Sequence, residues 1–302
     1  MRKLINESFK QYYRYRIKSI EQFMQHPDEA QYHWLNRLIS SARRTEWGKL
    51  YDFKSIRNSA QFAERIPVQD YESLKPYIER MMYGERDILW PGYVRWFSKS
   101  SGTTSDKSKF IPVSRENLST CHIKGTWDTM TIFYNQRPDA RQFECKSLIM
   151  GGSLDPFPEY PKTMRGDVSA IMLQNMPWVG KPFVTPSFEI ALLANFEEKI
   201  EQMAQIISKE PNLVMIGGVP TWTVVLFRRV LELTGKSNLL EVWPNLRGYI
   251  HGAVSFTPYR DQFKAYLPSN SVSYQEIYNA SEGYFAIQND FSEQDMLLLL
   301  DN

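Results

Sequence analysis

The stretch Leu213-Val214-Met215-Ile216-Gly217-Gly218 sets the architecture. Four apolar residues in a row, ended by Gly217-Gly218, are too short for a helix and read as a strand buried on both faces. Thr221 to Leu233 follows with helical periodicity, and Gly235 stands where a helix C-cap is expected. Leu246 to Ile250 is a further short strand, closed by Gly252. Strand, helix and strand in this order predict parallel strands with a helix packed on them.

The same alternation extends outward. Ser147 to Met150 reads as a buried strand ending at Gly151-Gly152, and Phe188 to Ser208 as a helix. Downstream, Ser271 to Tyr278 and Tyr284 to Gln288 read as strands around a tight turn. Residues 153–187, rich in Pro, Gly and Asp, are expected to form an extended surface excursion. The fold class is therefore α/β, with mixed and largely parallel sheets flanked by helices.

Before this alternation lies a helical N-terminal segment. Ile5, Phe9, Tyr12, Tyr13, Ile17, Ile20, Phe23 and Met24 recur at three- and four-residue steps, and Pro27 ends the helix. Asp28 is expected to cap a second helix, and Arg14, Arg16 and Lys18 to form the wet face of the first. Ser59 to Arg65 and Tyr71 to Met82 also read as helices, with Pro76 marking a fresh start in the latter. Tyr93 to Phe97 and Lys109 to Val113 read as strands of a hairpin, after which Ser114 and Asn117 open a long helix reaching about Tyr134. Met296 to Leu300 is a strand signal two residues before the chain ends at Asn302, which reads as the edge of a fragment.

Composition excludes several classes. With 36 basic and 34 acidic side chains, the net charge of +2 argues against nucleic-acid binding. Aliphatic runs fall far short of the ~20 residues of a membrane helix, and no membrane partner is expected. Cys121 and Cys145 cannot build a disulfide framework, which suits a reduced, cytoplasmic compartment. The four histidines, His26, His33, His122 and His251, lack metal-ligand spacing. His122 reads as a structural histidine or as part of an acyl pocket, and His251-Gly252-Ala253 as a segment approaching a nucleotide. Nothing in the sequence points to an oligomeric state.

Chemistry concentrates in two loops. Between the hairpin strands, Ser98-Lys99-Ser100-Ser101-Gly102-Thr103-Thr104-Ser105-Asp106-Lys107-Ser108-Lys109 gathers hydroxyls, a glycine and lysines. Short donors and freed backbone N–H groups surround a triphosphate without bulk, and lysines offset its charge. The same composition also makes a solvated hairpin turn. It is not a Walker A loop, and Thr234-Gly235-Lys236-Ser237 reads as a helix terminus. The second loop, Tyr278-Asn279-Ala280-Ser281-Glu282-Gly283, holds one carboxylate among small residues. Glu282 suits Mg²⁺, which favours one or two carboxylates plus phosphates, and Tyr278 offers a flat face to adenine. An ordinary β-turn with an exposed glutamate is the alternative.

Together the two loops resemble a family. Ser100-Ser101-Gly102-Thr103-Thr104 with Lys109 looks like the phosphate loop of acyl-adenylate-forming enzymes, and Tyr278-Asn279-Ala280-Ser281-Glu282 like their adenine and magnesium motif. The match is to the auxin-responsive promoter family of acyl-acid amido synthetases, whose members include bacterial ones. Phe53 to Trp90, with Tyr71-Glu72-Ser73-Leu74-Lys75-Pro76-Tyr77, also resembles that family.

The resemblance implies ATP and Mg²⁺ as cofactors, and a small carboxylic acid and an amine such as an amino acid as substrates. It implies that Ser100, Ser101, Gly102, Thr103, Thr104, Tyr278 and Ser281 bind ATP. Lys109 and Glu282 would be the catalytic residues, Glu282 also the metal ligand. Residues 1–302 would be the N-terminal ATP- and acyl-binding domain, incomplete, with the ribose motif and the mobile C-terminal domain beyond them. Asp106 departs from the glycine that many relatives have. Rival readings are an acyl-CoA ligase and a non-catalytic nucleotide-binding module.

Overall fold

The computed structural model describes residues 1–100 and 108–302. Its strands are β1 (Trp96–Ser100), β2 (Lys109–Val113), β3 (Lys146–Ile149), β4 (Leu154–Phe157), β5 (Tyr160–Gly166), β6 (Val184–Thr185), β7 (Leu213–Gly217), β8 (Gly248–Gly252), β9 (Ser273–Asn279), β10 (Tyr284–Ile287) and β11 (Leu297–Leu298). They form a seven-stranded sheet of order β11-β10-β9-β8-β7-β3-β6 and a four-stranded sheet of order β2-β1-β5-β4. In the larger sheet β6, β3, β7, β8 and β9 run parallel, and β10 and β11 add antiparallel edges. The α/β architecture expected from the sequence is the one observed.

Leu213-Val214-Met215-Ile216 lacks alternation because both faces of β7 are covered. Leu213 and Ile216 join a core containing Phe227, Trp243, Tyr249 and Phe263, under the helices Phe196–Ile207 and Pro220–Thr234. Val214 and Met215 join Tyr13, Phe133, Tyr134 and Phe143, under the helices Arg2–Gln25 and Lys124–Gln136. Each large side chain so buried contributes roughly 1.5–3 kcal/mol. Gly235, at φ 64°, ends the Pro220–Thr234 helix in the left-handed region that favours glycine.

Several local expectations shift. The first hairpin strand is Trp96–Ser100 rather than Tyr93–Phe97, while Lys109–Val113 and the antiparallel pairing stand as expected. Residues 153–187 are not a surface excursion: β5 pairs parallel with β1 inside the smaller sheet, and the Val168–Gln174 helix buries Ala170, Ile171 and Leu173. Pairing partners distant in sequence turned a proline- and glycine-rich segment into sheet. The expected helix Phe188–Ser208 is two helices, because Asn195 caps the second by accepting from the Glu198 backbone N–H at 2.9 Å.

Pro76 lies inside one continuous helix, Tyr71–Met82, capped by Asp70. Asp28 sits in the first turn of Pro27–Ala42, where it favours the helix dipole; His26 holds the cap position.

Candidate active site

Two strand ends meet at the site. β1 and β2 bracket the hydroxyl-rich loop, with Ser100 paired to Lys109 at its base. Ser101, Gly102, Thr103, Thr104 and Asp106 lie outside the described residues. Ser98 on β1 is fully buried, and its Oγ donates to Ser281 Oγ at 2.9 Å. The strand entering the loop is thereby fastened to the acidic turn. Lys109 places its Nζ 5.5 Å from the Tyr71 ring centroid, and the Tyr71 hydroxyl accepts from the Phe110 backbone N–H at 2.9 Å. The ammonium is so held at the foot of the loop.

The acidic turn joins β9 to β10 at the carboxyl end of the parallel strands, where open α/β sheets bind ligands. Ala280 N–H donates to the Gly283 carbonyl at 2.9 Å and closes the turn. Glu282 is exposed. Tyr278 is 55% exposed, leaving much of its ring open to solvent, and packs at 5.2 Å against Phe285. Among the described residues, no group of three metal-ligating side chains occurs.

One helical segment grips this turn. The sequence predicts a single long helix after the loop; the structure shows a capped turn at Arg115–Asn117, a π-helical stretch Leu118–Ile123 and the helix Lys124–Gln136. Asn117 Nδ2 donates to the Glu282 carbonyl at 3.4 Å. Cys121 Sγ accepts from the Tyr284 N–H at 3.1 Å, and His122 Nδ1 meets Asn279 Oδ1 at 3.0 Å. A Cβ on Gly125 would run into the Tyr284 ring, so only glycine admits that ring. Thr129 Oγ1 and the Tyr284 hydroxyl are hydrogen-bonded at 2.5 Å.

The outer side of this segment is pinned by charge. Arg16 Nε and Nη2 donate to Asp128 at 2.7 and 2.8 Å, and Lys124 Nζ reaches Asp301 at 2.6 Å. Arg14 and Lys18 are exposed as expected, but Arg16 turns inward because the buried Asp128 carboxylate needs a counter-ion.

Other residues play no part in joining the loops. His251 pairs with Glu276 on β9, and its ring stacks on Phe256 at 4.1 Å and lines a cavity of about 250 Å³ with Arg260, Tyr274 and Glu276. Burial, reinforced by Arg260, pushes its pKa down to about 3. Burial also raises the Cys121 thiol pKa, against the Tyr284 N–H and Lys124, so this cysteine is not an activated nucleophile. Ser98, Asn117, Gly125 and Thr129 carry no local signal of the roles they take here, because their partners lie more than a hundred positions away.

The model of the GH3 family N-terminal domain matches residues 16–152 and 155–272, most of the chain. The chain belongs to the GH3 family. Among similar GH3 proteins, the indole-3-acetic acid-amido synthetase GH3.2 of Arabidopsis thaliana is 32% identical over 103 residues, 34% of this chain and 19% of that protein. The jasmonoyl–L-amino acid synthetase JAR4 of Nicotiana attenuata is 28% identical over 122 residues, 40% of this chain and 21% of that one.

The AtGH3.15 acyl acid amido synthetase, solved with 2,4-DB, superposes with a TM-score of 0.77 at 15% identity, over 94% of this chain and 59% of that one. A 2-hydroxyisobutyryl-CoA ligase superposes at 0.55 and 12% identity, over 90% of this chain and 58% of that one. These structures share the GH3 chain's fold. The chain spans about three fifths of the solved chains, and its matches to the curated relatives cover about a fifth of their length.

Proposed function

We propose that this GH3 chain is the N-terminal ATP- and acyl-binding domain, residues 1–302, of an acyl-acid amido synthetase acting in the cytoplasm. The bond between Ser98 and Ser281 carries the reading, because it joins the hydroxyl-rich loop's entry strand to the turn bearing Glu282.

The residues fit the implied groups. Tyr278, exposed at the end of β9, would offer its ring to adenine, and Ser281 in the following turn would contact the nucleotide. By the sequence resemblance, Ser100, Ser101, Gly102, Thr103 and Thr104 would supply hydroxyls and backbone N–H groups to the triphosphate, and Lys109 would add positive charge. Glu282, an exposed lone carboxylate, suits Mg²⁺ held otherwise by phosphate oxygens. When bound, Mg²⁺ offsets the negative charge of the phosphates.

In the first half-reaction an oxygen of the substrate carboxylate attacks the α-phosphorus of ATP, and the bond to the β-phosphate oxygen breaks to release pyrophosphate. In the second, an amine attacks the acyl carbon, AMP leaves with its oxygen, and the amine's proton passes to solvent. The chain's own residues position and stabilise charge, and no protein nucleophile is required.

Pyrophosphate release by the full-length protein over a panel of carboxylic acids tests the activation step. An amino acid as acceptor yields an amide; a thioester formed with coenzyme A would instead make the protein an acyl-CoA ligase. ATP titrations of the full-length protein that show no magnesium-dependent binding would leave a non-catalytic module.

A further inference from the structure

We propose that His122 is a positioning residue: through Asn279 its imidazole holds the Ser281–Glu282 turn against Ser98 of β1. The proposal rests on the nucleotide-binding reading of that turn.

The grips on the turn are not equivalent. Asn117, Cys121 and Thr129 all seize its far side, at Glu282 and Tyr284. Among the described residues, His122 is the one member of the segment with a hydrogen bond to the near side, at Asn279, directly before Ala280 and Ser281. Asn279 is fixed from a second direction, since its Nδ2 donates to Met172 Sδ at 3.2 Å. With the amide nitrogen spent on that sulfur, Oδ1 accepts from His122 Nδ1–H. The π-helical stretch has a matching purpose. Its wider turn lets the consecutive residues Cys121 and His122 both reach the β9–β10 connection.

Stability alone does not account for an imidazole here. His122 is fully buried, and its Nε2 has no hydrogen-bond partner among the described residues. A bare buried acceptor is a cost to the fold, and an apolar side chain of similar volume would avoid it. Burial lowers the His122 pKa, against the bond to Asn279, so the ring is neutral at pH 7 and Nδ1 carries a fixed proton. What the ring supplies, and a leucine would not, is the donor to Asn279.

The test separates positioning from packing. His122→Leu should leave the melting temperature unchanged or raised, yet raise the KM for ATP·Mg²⁺ about tenfold. His122→Asn, whose Nδ2 occupies nearly the place of the imidazole Nδ1, should restore most of that loss. Asn279→Ala should match His122→Leu, and the double variant should be no worse than either. An unchanged KM in His122→Leu, or a His122→Asn variant as impaired as the leucine one, overturns the proposal while leaving the enzymatic reading intact. A full-length wild-type protein that binds no ATP overturns both.

Discussion

Ser98 Oγ and Ser281 Oγ are hydrogen-bonded at 2.9 Å across 183 positions of sequence. The contact joins the smaller sheet to the β9–β10 connection of the larger one. A buried serine that spends its hydroxyl on a turn serine fixes β1 against the turn that bears Glu282.

Ser98→Ala removes that fastening. A lost hydrogen bond of about 1 kcal/mol corresponds to roughly fivefold in affinity. The expected outcome is a KM for ATP several times higher, measured by pyrophosphate release at varied ATP. An unchanged KM would separate the two loops functionally.

Glu282→Ala should abolish magnesium-dependent pyrophosphate release. Because Glu282 is exposed, the unfolding free energy should stay within about 0.5 kcal/mol of the wild type. Normal turnover in this variant would refute the metal role.

Gly125→Ala drives a methyl group into the Tyr284 ring, against Cγ and Cδ1. Overpacking of this kind costs about 1–3 kcal/mol. Urea unfolding should show that loss, and Tyr284→Ala in the same chain should relieve the clash while opening a cavity of its own. A Gly125→Ala chain as stable as the wild type would show that the ring has room to move.

Asp128→Ala leaves Arg16 without its closest counter-ion, and Asp301 only partly replaces it. Removing one partner of a buried pair costs about 3–5 kcal/mol. Replacing both, as Arg16→Met with Asp128→Leu, should recover much of the difference. Equal stability of wild type and Asp128→Ala would show that the pair does not hold the N-terminal helix.

His251 gives stability a pH dependence. Its pKa falls from an ordinary 6.5 to about 3 on folding, mainly through burial. Between those values the unfolded chain binds more protons, so this contribution is fully present above pH 6.5 and is lost as pH falls toward 3. Denaturant melts at pH 7 and pH 5 should show His251→Phe losing less stability over that step than the wild type. Equal losses would contradict the shift.

Neighbouring residues alone specify the elements with strong local signals. The apolar run at Leu213–Ile216, the helix ending at Gly235 and the strands flanking Ala280–Gly283 can be read in short windows, because burial on one or both faces imposes a period there. The acidic turn was legible because two strand signals flank a short run of small residues, whereas residues 101–107 of the hydroxyl-rich loop lie outside the described residues.

What those clusters meet is a property of the folded chain. β5 became a strand by pairing with β1, Met164 opposite Trp96, and not through its own composition. Arg16 turned inward because Asp128 lies opposite it, and Ser98, His122 and Gly125 acquired their roles from a turn more than 150 positions away. Hydrogen bonds and close packing act over a few ångströms of space, whatever the separation along the chain, so they leave no periodicity for the sequence to show.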